Sequence, residues 1–132
     1  MQRFIEQCRE AGDVLDIHAE VDPEFEAAAI TAEVQARGNQ IVVFHRLRGY
    51  DMPVATNIYG CRHRLERILG VAAGSGDSVS QALNRHIERS VASRSSATSQ
   101  AGESSGRQAC RLSQIPLLRY HEEDAGRYLT AG

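Results

Sequence analysis

Residues 40–47, QIVVFHRL, constrain this chain more than any other stretch. The run is too rich in β-branched and aromatic residues to be anything but a buried strand, so the rest of the chain has to cover it. Upstream, DVLDIHAEV alternates, with Leu15, Ile17, Ala19 and Val21 on one side, the period of a half-buried strand. Downstream, RGYD is a turn and MPVAT a short partner strand, placed at an edge because Pro53 has no N–H to donate to a ladder.

Helical signals separate these strands. RFIEQCREAG puts Phe4, Ile5 and Cys8 on one face and closes at Gly12, a natural C-terminal cap. Asp22 and Pro23 predict a sharp helix start, with Asp22 capping free amides and Pro23 at the first helical position. That helix runs through EFEAAAITAEVQAR to Gly38, with Glu24 and Glu26 near its positive end and Arg37 near its negative end. CRHRLERIL is a short helix ended by Gly70, and Ser78 with Gln81 forms a capping box for VSQALNRHIERSV. The order predicts an α/β fold, a small few-stranded mixed sheet covered by helices.

At 132 residues, 42% of them hydrophobic, the chain has room for one domain and a modest core. From residue 92 its character changes: ASRSSATSQAGESSG offers almost nothing apolar but alanine, which predicts a Ser-rich flexible linker. The expected division is therefore an α/β domain over 1–91, a linker over 92–109 and a connecting segment over 110–132.

Composition excludes several functions. A net charge of −2 argues against a nucleic-acid-seeking surface, although all fifteen basic residues are arginine. Cys8, Cys61 and Cys110 are far apart and form no C-x-x-C pair. The opening residues carry no apolar signal core and no stretch has the length of a membrane span, which leaves a cytoplasmic setting without membrane or nucleic-acid partners.

Each candidate for chemistry has a plainer reading. GVAAGSGDS, residues 70–78, could expose amides to a phosphate, yet it lacks the Lys-Ser/Thr of a P-loop and follows no strand. Cys61 and His63, two apart on a helix, would point to different faces. His18 and His45 fall in strand patterns, His86 on an exposed helix face, and His121 in the HEED turn. Arg62, Arg64 and Arg67, followed by Arg85 and Arg89, could form a basic patch, but Glu66 and Glu88 interrupt it. Taken from the residues alone, no catalytic, cofactor-binding or metal-binding set emerges.

Three ordered blocks nevertheless resemble the start of the UbiD family of carboxy-lyases, which act on aromatic and α,β-unsaturated acids with prenylated FMN. FIEQCREAGDVLDIHAEVDPEFEAAAITAEV resembles the family's first helix, strand and second helix. VVFHRLRGYDMPVATNIYGCRHRLERILG resembles the next block, and LSQIPLLRYHEEDAGRYLTAG a later segment ending in a strand. The resemblance implies an N-terminal domain whose tail enters a split β-barrel flavin domain. In the family that later domain holds the prenylated FMN with a divalent metal (Mn) and K, and supplies the catalytic arginine and glutamates. No position here matches those residues, so none is carried over, and the chain alone is expected to bind no cofactor and to be catalytically silent.

Two departures stand out: the Ser-rich tract leads straight into ACRLSQIP, and Ala125 replaces a common glycine. A positive φ at Ala125 would cost about 1 kcal/mol or more. Together with the early end they suggest a truncated or diverged product. The expected partners are a second copy or a UbiD-type catalytic domain or subunit. The competing reading is a stand-alone interaction module that binds a partner subunit through MPVAT or the arginine-bearing helices, and nucleic-acid binding ranks behind both.

Overall fold

The structure, a computed structural model, describes residues 1–71, 78–96 and 111–128. They divide into two compact units, Met1–Gly60 with Cys110–Gly132, and Cys61–Ala109.

The first unit is built around one sheet, with α1 (Gln2–Glu10), β1 (Val14–Val21), α2 (Glu26–Arg37), β2 (Ile41–Leu47) and β3 (Val54–Thr56) in chain order. The strands lie in the order β1-β2-β3, with β2 parallel to β1 and antiparallel to β3. The apolar run is thus the central strand and β3 lies at an edge, as Pro53 requires. Residues 41–44 of β2 are all buried because both faces of the sheet are covered. On one face Val42, Phe44 and Leu47 pack with Val21 of β1, Ala27 of α2 and Leu118 of the tail. On the other, Ile41 and Val43 pack with Cys8, Phe4 and Ile5 of α1. Gly12 ends α1 in the left-handed conformation, φ 73°, with its amide bonded to Arg9 O and that of Asp13 to Cys8 O. This is the glycine cap expected from the sequence.

The second unit contains α3 (Arg62–Ile68) and α4 (Val79–Ser96). Gly70 closes α3 at φ 68°. The capping box forms: Ser78 N donates to Gln81 Oε1 at 2.8 Å and Gln81 N to Ser78 Oγ at 3.1 Å.

Four expectations change. First, α2 starts at Glu26 rather than at Pro23, because Arg119 N donates to Pro23 O and Phe25 N to Arg119 O, which draws these residues into strand-like pairing. Second, Ala19 is exposed. Pairing slips between Ile17 and Glu20, so His18 and Ala19 together face the one residue, His45, between Phe44 and Arg46. An extra residue of this kind breaks period two.

Third, α4 continues to Ser96, into the tract read as linker. Ser90 and Ser93 satisfy their hydroxyls on the carbonyls of His86 and Arg89, which keeps serine compatible with the helix. The remainder of the tract lies outside the described residues. Fourth, the connecting segment is part of the first unit: Tyr128 exchanges two backbone hydrogen bonds with Leu118 at 3.0 and 3.2 Å. Residues 129–132 lie outside the described set. Among the described non-glycine residues, positive φ occurs at Phe25, Asn39 and Asn57, so Ala125 carries no such cost.

Candidate functional site

Three groups of polar side chains stand out. The first lies on the sheet beyond α1. Arg9 donates to both carboxylate oxygens of Asp16, at 2.8 and 2.9 Å, and Asp16 also bonds His45 Nε2 at 2.7 Å. The extra residue in β1 carries His18 alongside His45, and the rings stack with centroids 4.4 Å apart and planes 16° from parallel. The strand patterns of the sequence hold for both histidines, which lie side by side on β1 and β2, with His45 held by Asp16. Hydrogen bonds from the Arg9 guanidinium, then from His45, hold the Asp16 carboxyl well below the usual carboxylate range.

A depressed native pKa stabilises the fold above the ordinary carboxylate pKa of about 4, and that contribution is lost as pH falls through the native value. Urea midpoints measured from pH 7 to pH 2.5 should therefore drop below about pH 4. Asp16→Asn should lose about 1 kcal/mol at pH 7, discounted for partial exposure, and show a shallower acid slope.

The second group joins β3 to α2. Asn57, at φ 57°, accepts from Gln35 Nε2 at 2.9 Å and donates to Asn39 Oδ1 and Gln40 O, both at 2.8 Å. Asn39, at φ 53°, donates to Gly60 O at 2.8 Å. Asparagine tolerates this backbone region better than other side chains. One sequence signal marks the group: two asparagines and a glycine flanking the strands.

The third group is the tail. Asp124 Oδ2 accepts from Tyr120 N, His121 N and Tyr128 Oη at 2.9–3.1 Å. The amide of His121 and these further donors hold its carboxyl below the ordinary range. Tyr120 and Tyr128 stack at 5.5 Å. Of HEED, then, Asp124 organises the turn, while His121, Glu122 and Glu123 are exposed.

The other candidates resolve as follows. Cys61 Sγ lies 3.1 Å from His63 Nδ1 and 2.8 Å from Arg64 Nε. The expectation that Cys61 and His63 diverge is corrected, because Cys61 is the extended cap of α3 (φ −146°, ψ 155°) and not a helical residue. Arg64 is buried and so leaves the proposed basic patch. Arg62 pairs with Glu66 at 2.8 Å, and Arg67, Arg85, His86 and Arg89 are exposed. Residues 72–77 of the glycine-rich loop lie outside the described set. His45 also borders a shallow hollow of about 530 Å³ with Glu20, Arg46, Tyr50 and Asp51. Among the described residues, no helix is long and apolar enough to cross a membrane.

Comparison with known proteins supplies the context. The chain is similar to the anhydromevalonate phosphate decarboxylase of Methanothermobacter thermautotrophicus, 29% identical over 134 residues, all of this chain and 29% of that protein. It is 31% identical over 72 residues to a 4-hydroxybenzoate decarboxylase subunit of Chlamydia pneumoniae, covering 54% of this chain and 12% of the relative. Among solved structures, the vanillic acid decarboxylase of Sedimentibacter hydroxybenzoicus in its open form superimposes with a TM-score of 0.50 at 26% identity, over 57% of this chain and 16% of that one. The chain thus spans less than a third of the curated relatives named here. The sequence profile of the 3-octaprenyl-4-hydroxybenzoate carboxy-lyase N-terminal domain matches residues 5–86, well over half the chain. The chain belongs to the UbiD N-terminal domain family.

Proposed function

We propose that this chain is the N-terminal scaffold of a UbiD-type non-oxidative decarboxylase or carboxylase acting on aromatic or α,β-unsaturated carboxylic acids in the cytoplasm. The observation that carries this reading is the alignment of the whole chain with a decarboxylase, in which it corresponds to 29% of that enzyme. In this reading the domain contributes packing to a following flavin domain and to a second copy or catalytic subunit, and the reacting groups lie elsewhere.

The side chains support a structural role. Asp16 and Asp124, whose carboxyls are held below the ordinary range, are committed to Arg9 and His45 and to the tail turn. Prenylated FMN, which the family resemblance implies, does not fit the hollow beside His45. Glu20 and Asp51 line that hollow together with Arg46, which already faces Glu20 at 3.7 Å, so it offers a phosphate no net positive charge. In this reading the flavin, with the Mn and K that the resemblance implies, belongs to the following domain.

A second reading, a non-catalytic module that binds a partner subunit, rests on β3 lying at the sheet edge. Titration of prenylated FMN into the isolated chain, followed by flavin absorbance and by CO₂ release from 4-hydroxybenzoate, tests the scaffold role. No saturable binding and no CO₂ above the buffer rate are expected. Saturable binding or turnover would overturn it.

A further inference from the structure

The local sequence and the tail place opposing demands on residues 23–25. We propose that these residues form a two-state latch: paired with the tail in one state, and joined to α2 as its first turn in the other. The latch is independent of the chemistry proposed above.

The helical state is encoded locally. Asp22 followed by Pro23 is a cap and first position that would start α2 three residues earlier than it does. Asp22 is already placed for it: its Oδ1 accepts from Glu24 N at 2.8 Å and its amide donates to Glu26 Oε2 at 2.7 Å. Its carbonyl accepts from Ala27 N at 3.2 Å, so the turn holds one residue more than an α-helical turn.

The paired state is what the structure shows, and it carries two costs. To pass from the tail pairing into α2, Phe25 adopts φ 65°, ψ −39°, with Glu26 N bonded to Glu24 O at 2.7 Å. This is a γ-turn of the positive-φ form, which is strained for any L-residue and more so for a bulky one. In addition, Arg119 Nε is hidden from solvent with no partner among the described residues.

The tail offsets these costs through contacts that exist only when it is docked. Arg119 N and O bond Pro23 O and Phe25 N, and its guanidinium lies 5.3 Å above the Phe25 ring. Arg127 pairs with Glu24 at 2.5 Å, and Leu118 is buried beside Ala27 in the core. Undocking removes all of these together and leaves the helical start as the local preference. A displacement of the chain at Tyr128 is thereby transmitted to the first turn of α2.

The test uses the full chain with Phe25→Gly and Phe25→Ala. Both lose the ring equally, but glycine takes positive φ freely and disfavours helix, while alanine does the reverse. Amide hydrogen exchange at Leu118, Arg119 and Tyr128 should be about tenfold slower in F25G than in F25A, with Phe44 unchanged between them. In Leu118→Asp, carbon chemical shifts of Glu24 and Phe25 should become helical. Equal exchange in F25G and F25A, a difference shared by Phe44, or non-helical shifts at Glu24 and Phe25 in a folded L118D would each overturn the latch.

Discussion

Replacing Phe44 by alanine should cost the sheet unit about 3–5 kcal/mol, close to its whole stability. Phe44 is fully buried at the middle of the central strand, where Val21, Val42, Leu47 and Leu118 pack into the same cluster. It therefore ties β1, β2 and the tail together, and truncation leaves a cavity that three separate segments would have to collapse to fill. A urea midpoint near zero, or loss of cooperative unfolding, is the expected result. A loss below about 1 kcal/mol would mean the site tolerates the truncation as a surface position does, which contradicts the described core.

The second large effect is expected at Gly60, and its cause is space rather than backbone conformation. A Cβ there would lie 1.9 Å from Asn57 Oδ1, 2.7 Å from Asn57 Cγ and 2.9 Å from Asn39 Oδ1. The Asn57 amide cannot retreat without breaking its bonds to Gln35, Asn39 and Gln40. At about 1 kcal/mol net for each bond, and with Asn57 left in a positive-φ conformation without compensation, Gly60→Ala should cost about 2–4 kcal/mol. Asn57→Gly removes the obstructing side chain and accepts positive φ, so the double variant should be more stable than the two single losses sum to. Simple additivity by urea unfolding would show that the clash is not where the cost arises.

How much of this was legible in the sequence depended on how local the signal was. The buried strand, the edge strand marked by Pro53, the Gly12 cap and the Ser78–Gln81 box each rest on residues within a few positions of one another. All four appear in the structure. The start of α2 was misread because Asp22-Pro23 is a sound local signal overridden by Arg119, a partner distant in the chain. Cys61 and His63 were misread because helical spacing was applied to a residue that caps the helix in extended conformation. The Asn39–Asn57–Gly60 group needed three-dimensional neighbours that no periodicity discloses, whereas Asp124 bonds Tyr120, His121 and Tyr128, all within four residues, in a turn that no helix or strand period marks. The alternation in β1 failed at the one inserted residue, which no propensity marked. Family membership was legible because ordered blocks of sequence survive where single motifs say little.

The scaffold role proposed above places the reacting groups of the decarboxylase outside this chain. Its most direct test is exchange of the corresponding segment of the M. thermautotrophicus anhydromevalonate phosphate decarboxylase, 29% of that enzyme, for this chain, with decarboxylation measured on the chimera after flavin loading. The loaded chimera should decarboxylate the recipient's own substrate with kcat within about tenfold of the parent, the loss reflecting imperfect packing rather than absent groups. A folded, flavin-loaded chimera whose kcat falls by about a thousandfold or more would show that the replaced segment carries chemistry this chain lacks, and would overturn the scaffold role.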